Sequence, residues 1–185
     1  MLPAPEGNVN VDEIRAHLPE EPNTFVGRER ELVELRQMLH RTRALTLCGP
    51  GGIGKTRLAL RLLVISAAEF PDGVWFVELA DLRQPDLVVS RIAAVIGITE
   101  EAGRPLLETL GDALRPRRLL LALDNCEHLL DACAQVGRRL LASAPGLRLL
   151  NTSREPLSVA GETIWRVPAL RRHGSCWRVP RASGW

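Results

Sequence analysis

The feature that most constrains this chain is an eight-residue glycine-rich segment, Gly49-Pro50-Gly51-Gly52-Ile53-Gly54-Lys55-Thr56. It fits the pattern G-x-x-x-x-G-K-[ST], in which residues without a Cβ let the backbone approach an anion closely and adopt unusual dihedral angles. The N–H groups of such a loop form a nest for phosphate oxygens, and the helix that follows adds the positive end of its dipole. We therefore expect Lys55 to reach the β- and γ-phosphates of a nucleotide and the Thr56 hydroxyl to ligate magnesium.

The sequence on either side of this segment supports the same interpretation. Residues 44–48 form a short apolar run typical of a buried strand, and residues 55–70 place apolar side chains on one face of a helix. Lys55 is the one lysine among the 24 lysine and arginine residues, so the other 23 are arginine. The single lysine thus occurs at the position of the pattern that requires a compact ammonium group. This disfavours the alternative that the segment is a glycine-rich turn matching the pattern by chance.

The order of predicted elements indicates the fold class. Strands are expected at 44–48, 74–79, 119–123, 147–150 and 163–167, and helices at 28–41, 55–70, 85–98, 105–114 and 127–142. The strands alternate with helices, and their interiors are continuously apolar. This pattern predicts an α/β fold with a parallel sheet covered by helices on both faces.

Three further positions are candidates for the site. Asp124 ends the apolar run 119–123, and a carboxylate at the end of a strand beside a phosphate-binding loop can hold magnesium. The pattern is weak alone, because many strands end in Asp. Arg154 follows the fourth strand and could sense the γ-phosphate charge, or it could be one more surface arginine. The segment 25–29 is, by itself, only a loop and a helix start.

The charge distribution limits the class of partner. The chain carries a net charge of +2, and its last 20 residues hold five arginines and no acid, so the first 165 residues carry −3. The body of the chain is therefore no basic nucleic-acid platform. No run of about 18 apolar residues and no secretory signal is present in the sequence, so we expect a cytoplasmic protein without a membrane span.

Four ordered motifs together resemble one family. They are the segment 25–32, the loop 49–56, the segment 121–130 (LALDNCEHLL), and the segment 151–157 (NTSREPL) with 159–162. In combination they are similar to the NB-ARC-type STAND ATPases, and more narrowly to the ATPase module of large bacterial transcriptional regulators of the LuxR and SARP kinds. The resemblance extends over about residues 19–170.

The resemblance implies a P-loop NTPase three-layer sandwich whose five parallel strands follow the order 5-1-4-3-2. It also implies a switch that is off with ADP and on with ATP. In this family Lys55, Asp124 and Arg154 would act on the phosphates, and Thr56 and Asp124 would hold magnesium. The implied nucleotide-binding residues are Val26, Gly27, Arg28, Gly49, Gly51, Gly52, Ile53, Gly54, Lys55, Thr56 and Arg57, the first three beside the adenine.

Two departures from the family pattern bear on function. Asn125 stands where many STAND proteins carry a second acid, and an amide is a poor general base, so we expect hydrolysis to be slow or absent. Glu127 is close in sequence, and as a helix N-terminal acid it would also be favoured by the helix dipole. The second departure is that residues 171–185 lose periodicity where the family continues into a helical subdomain, as a truncated or frame-shifted end would.

We therefore expect a leader over residues 1–22, a nucleotide-binding domain over 23–170 and a disordered basic tail over 171–185. The leading function is an ATP/ADP-binding switch module of a regulator, which does not contact DNA by itself and could self-associate or contact regulator domains. The alternatives are a stand-alone P-loop phosphotransferase and a degenerate remnant without activity.

Overall fold

The structure is a computed structural model that describes residues 18–19 and 27–169. Within these residues there are five helices and five strands, most of which alternate along the chain. The helices are α1 (Glu29–Arg41), α2 (Lys55–Ser66), α3 (Leu87–Ile96), α4 (Leu106–Leu114) and α5 (Leu130–Ser143). The strands are β1 (Ala44–Cys48), β2 (Val74–Glu78), β3 (Leu120–Asp124), β4 (Arg148–Ser153) and β5 (Glu162–Arg166). Short 3-10 turns follow α2 at Ala67–Glu69 and β3 at Cys126–His128.

All five strands join one parallel sheet in the order β2-β3-β4-β1-β5. This is the predicted order 5-1-4-3-2 read from the other edge, and it confirms the predicted α/β fold. Strand β4 lies between β1, which leads into the glycine-rich loop, and β3, which ends in Asp124. The carboxyl ends of β1, β4 and β3 consequently meet at one edge of the sheet.

The sheet is buried on both faces because successive apolar side chains along its strands point alternately into two cores. Leu120 and Ala122 pack with α1 and α2, whereas Leu121 and Leu123 pack with α3, α4 and α5. On α1, the helical spacing of Leu32, Leu35 and Leu39 places all three in the first core. The periodicity in the sequence thus specifies which face of the helix is buried.

Two predicted boundaries were wrong in ways that affect the site. Strand β4 continues through Ser153 rather than ending at Leu150, because Asn151 and Thr152 are buried and hydrogen-bonded within the sheet. The helix predicted from Glu127 begins instead at Leu130. The left-handed backbone of Asn125 (φ 61°) turns the chain into the 3-10 turn first, so Glu127 is not in the first turn of α5.

Several sequence predictions fall outside the described residues. Val26, nearly all of the 1–22 leader and the whole 171–185 tail are among them. Within the described ranges, no helix has the length and apolar character needed to cross a bilayer.

Candidate nucleotide-binding site

The glycine-rich loop joins β1 to α2 and has the backbone shape that its sequence predicts. Gly52 and Gly54 have positive φ values of 76° and 93°, and Gly54 is the N-cap of α2. Gly49 sits closely against its neighbours, since a Cβ there would lie 3.3 Å from the Ile53 side chain. The loop therefore curls over the amino end of α2, where free N–H groups and the helix dipole favour an anion.

Lys55 is the first residue of α2, and its side chain folds back over the loop. Its Nζ donates hydrogen bonds to the carbonyl oxygens of Gly49 at 2.8 Å and Pro50 at 3.2 Å. The residue is only 6% exposed. A buried ammonium group held by neutral carbonyls of the loop can exchange those partners for anionic oxygens, which form stronger, charge-assisted bonds.

Thr56 and Asp124 come together across the sheet edge, although 67 residues separate them along the chain. The Thr56 hydroxyl donates to Asp124 Oδ2 at 3.0 Å, and the Thr152 hydroxyl donates to Asp124 Oδ1 at 2.5 Å. Asp124 is 1% exposed. Burial raises the pKa of its carboxyl, an effect that the two hydroxyl donors oppose and the nearby Glu78 and Glu127 reinforce.

These residues fit a magnesium ion in their chemistry. Among the described residues, the buried carboxylate is bonded to two neutral hydroxyls and to no cationic donor, and the Thr56 hydroxyl oxygen lies 3.0 Å from it. In the described part of the chain, no three His, Cys, Asp or Glu side chains form a metal cluster. Thr56 and Asp124 would therefore leave most positions around the ion to water and phosphate oxygens, as magnesium prefers.

Arg154 follows β4 and lies over the mouth of the loop. Its Nε is 3.2 Å from Oε1 of Glu127, and its side chain is 65% exposed. A Cβ added to Gly51 would lie 3.5 Å from Arg154 Nη2, so the guanidinium also borders the loop. The predicted sensor arginine is thus beside the glycine-rich loop, with free N–H groups at its exposed end to receive an anion.

Arg28 lies beside Ile53 of the loop, just before the start of α1. Both Gly27 and Arg28 have left-handed backbones, with φ values of 80° and 66°. The Arg28 side chain is 9% exposed, and its Nη2 donates to the carbonyl oxygens of Ile53 at 2.9 Å and Pro168 at 3.1 Å. Its Nη1 is buried without a hydrogen-bond partner among the described residues. The side chain therefore links the loop to the segment after β5.

Sequence reasoning placed most of these residues but missed two contacts. Thr152 had no assigned role, although a run of polar residues at the end of an apolar strand was a usable signal. The direction of Glu127 could not be deduced from its position in the sequence. Of the remaining predicted residues, Arg57 lies half-buried in the first turn of α2, and Val26 is outside the described residues.

Comparisons with known proteins give this geometry a context. The family described as "AAA domain" matches residues 36–162, which include the glycine-rich loop, Asp124 and Arg154. The chain is 46% identical over 136 residues to a proposed HTH-type transcriptional regulator of Mycobacterium tuberculosis, covering 74% of this chain and 15% of that protein. It is 34% identical over 157 residues to the regulatory protein AfsR of Streptomyces coelicolor, covering 75% of this chain and again 15% of the relative.

Solved structures show the same fold at low sequence identity. A STAND protein with a tetratricopeptide repeat sensor from Pyrococcus horikoshii superposes with a TM-score of 0.56 at 18% identity, over 82% of this chain and 24% of that one. Cdc6p from Pyrobaculum aerophilum gives a TM-score of 0.60 at 18% identity, over 84% and 48% respectively. The chain thus spans a small part of the length of the named regulators that it matches.

Proposed function

This chain belongs to the AAA domain family, and from that premise we propose that it is the ATP/ADP-binding switch module of a bacterial transcriptional regulator. Hydrolysis in this module is slow or absent. The observation that carries the proposal is the meeting of Lys55, Thr56 and Asp124 at the mouth of the glycine-rich loop. Three groups with complementary chemistry for phosphate and magnesium converge there, two from the first turn of α2 and one from the end of β3.

Each group has a defined task when nucleotide binds. The loop N–H groups and Lys55 receive the β- and γ-phosphate oxygens, because both present positive charge to the space above α2. Thr56 and Asp124 hold magnesium, which neutralises phosphate charge when bound. Asp124 suits this task because its burial raises the pKa and disfavours the isolated anion, so a cation relieves an existing cost.

The switch aspect rests on residues around the phosphates and on the relatives. Arg154 lies beside Gly51 with its guanidinium largely exposed, so it can distinguish a nucleotide with a γ-phosphate from one without. One relative that matches most of this chain is named as an HTH-type transcriptional regulator and another as a regulatory protein, and both are far longer than it. We assign the module to the NB-ARC/STAND group of LuxR- and SARP-like regulators, with the nucleotide-binding domain at residues 23–170.

The base and partners follow from the same assignment. Val26, Gly27 and Arg28 border the adenine in this assignment, and the contact of Arg28 with the loop residue Ile53 supports it. The module itself makes no contact with DNA. Other domains of a regulator, or a second copy of the module, would read its nucleotide state.

A titration tests the proposal. Calorimetry with Mg²⁺-ADP and Mg²⁺-ATP should show binding to the wild-type chain and a loss on the order of 100-fold in Lys55→Ala, because about 1.5–3 kcal/mol is lost with each charge-assisted bond and 1.4 kcal/mol is tenfold. Arg115→Ala is the matched control, since it also removes one positive charge but lies in an exposed ion pair with Asp112. Its affinity should equal that of the wild type.

Two outcomes would overturn the proposal. A folded wild-type chain that binds neither nucleotide would favour the degenerate remnant. Transfer of phosphate to a small acceptor molecule would favour the phosphotransferase.

A switch also requires a difference between the two nucleotide states, because a ligand that binds two conformations with equal affinity does not change their populations. Hydrogen exchange of the residues around Arg154 should therefore differ between the ADP and ATP complexes.

A further inference from the structure

The carboxyl edge of the sheet holds an open cleft beside the glycine-rich loop. The cleft has a volume of about 580 Å³ and lies at the ends of β3 and β4, with Asn125, Glu127, His128 and Arg154 in its wall. The Asn125 side chain is an amide and not a carboxylate. Its left-handed backbone (φ 61°) is one that Asn adopts more readily than Glu. A base for hydrolysis would have to come from another residue of this cleft.

Glu127 has the geometry that such a base needs. It sits in the 3-10 turn after β3, and its side chain is 21% exposed. Its Oε1 is 3.2 Å from Arg154 Nε, whereas its Oε2 is buried and has no hydrogen-bond partner among the described residues. Oε2 is therefore shielded from solvent, and water in the cleft reaches this carboxylate through the exposed fraction of the side chain.

Arg154 connects this carboxylate to the place where the γ-phosphate is expected. The Nε edge of its guanidinium faces Glu127, and Nη2 lies beside Gly51 at the mouth of the loop. A guanidinium is planar, with donors on more than one edge, so one group can hold a carboxylate and a phosphate oxygen at the same time. The guanidinium of Arg154 would then contact both bound ATP and Glu127.

We propose that Glu127 is the general base of the residual ATP hydrolysis, in place of the acid absent at Asn125, and that Arg154 positions it. This rests on the proposed function, since it requires ATP in the loop. A water molecule of the cleft, bonded to the Glu127 carboxylate, attacks the γ-phosphorus and gives its proton to that carboxylate. The new oxygen–phosphorus bond forms as the bond to the β–γ bridging oxygen breaks, and ADP leaves with that electron pair. The proton on Glu127 then passes to phosphate or solvent.

Two neighbouring groups are weaker candidates. Glu78 pairs with Asp124 across the sheet, but it lies on β2, two strands beyond β4 and farther from the loop. The Nε2 of His128 is 2.9 Å from the carbonyl oxygen of Leu82, so that ring nitrogen already has a partner. Glu127 alone of the three is linked to the loop by a charged side chain.

The test compares binding and turnover in the same chain. Single-turnover hydrolysis of Mg²⁺-ATP is measured for the wild type, Glu127→Gln and Glu78→Gln, with Lys55→Ala as the background. Glu127→Gln keeps an oxygen that can accept from Arg154 but cannot take a proton. We expect its rate to fall by about 100-fold or to background, because general bases contribute roughly 10²–10⁴-fold. Its ATP affinity should match the wild type, and Glu78→Gln should retain the wild-type rate.

Arg154 has its own signature as a positioning residue. Arg154→Lys keeps the charge but lacks the planar fork, so its turnover should fall more than its ATP affinity. If ATP binds and the wild type turns over no faster than Lys55→Ala, or if Glu127→Gln retains the wild-type rate, this proposal alone is overturned. Failure of the wild-type chain to bind ATP would instead overturn the proposed function and this proposal with it.

Discussion

The Thr152 hydroxyl donates a 2.5 Å hydrogen bond to Oδ1 of Asp124, so the strand between β1 and β3 helps to hold the carboxylate that faces Thr56. Thr152 Oγ1 also accepts a hydrogen bond from the backbone N–H of Asn125 at 3.0 Å. One hydroxyl thus fixes both the side chain of Asp124 and the turn that carries the chain toward Glu127.

Replacing Thr152 by Val should destabilise the protein and weaken magnesium-dependent ADP binding. The change keeps the shape of the side chain but leaves a carboxylate oxygen and a backbone N–H unpaired in a buried site, which costs about 1–3 kcal/mol. Urea unfolding measures the change in the free energy of unfolding. Thr152→Ser, which keeps the hydroxyl, should recover most of the loss. Equal stability of Thr152→Val and wild type would contradict the role of this bond.

The raised pKa of Asp124 predicts how the stability of the nucleotide-free protein depends on pH. Because the folded state binds the Asp124 proton more readily than the unfolded state, this group stabilises the fold below the ordinary pKa of 3.8. That contribution is lost as the pH rises through the raised pKa of the folded state. At neutral pH the ionised carboxylate is therefore a cost, one that a bound cation would offset.

Asp124→Asn should accordingly melt higher than the wild type in the absence of nucleotide at pH 7. Each kcal/mol gained corresponds to about 2–4 °C for a chain of this size. The same variant should no longer be stabilised by Mg²⁺-ADP relative to ADP alone. Asp131→Asn is the control, since it removes an exposed acid from the first turn of α5 and should melt slightly lower. A lower melting temperature for Asp124→Asn would refute the prediction.

Gly51 and Gly54 should respond differently to alanine. Gly54 has a φ of 93° with nothing near its missing Cβ, so Gly54→Ala costs backbone strain of about 1–2 kcal/mol. Gly51 does not require a left-handed backbone, and its Cβ would meet Arg154 Nη2 at an ordinary contact distance of 3.5 Å. Gly51→Ala should therefore preserve stability and reduce nucleotide affinity. Differential scanning calorimetry and ADP titration separate the two effects, and the reverse ranking of stability would contradict this argument.

Arg28→Ala should loosen the glycine-rich loop from the segment after β5. The variant leaves the carbonyl oxygens of Ile53 and Pro168 without their donor, so we expect a loss of about 1–3 kcal/mol. Hydrogen exchange of the loop amides should accelerate, and ADP affinity should fall. Arg30→Ala, at an exposed position two residues later on α1, is the matched control. Unchanged exchange in Arg28→Ala would show that the link does not hold the loop.

The fold and part of the site could be predicted from local sequence because local residue chemistry encodes them. The loop 49–56 requires particular backbone conformations, and its glycines supply them wherever the rest of the chain lies. Apolar runs identified strands β1 to β4, whereas only Trp165 of β5 is buried. Helical spacing identified the buried faces of the helices. The strand order followed from the resemblance of several motifs in sequence, since pairing between distant strands leaves little trace in any single segment.

The sequence by itself therefore determined the glycine-rich loop, the parallel α/β architecture and the acid at the end of β3. Only the tertiary structure decided that Thr152 bonds Asp124, that Arg154 pairs with Glu127, and that Arg28 reaches both Ile53 and Pro168. The physical reason is the distance along the chain over which each property is determined. Backbone conformation and burial depend on neighbours a few residues away, whereas the direction of a polar side chain depends on which donors and acceptors the folded sheet places beside it.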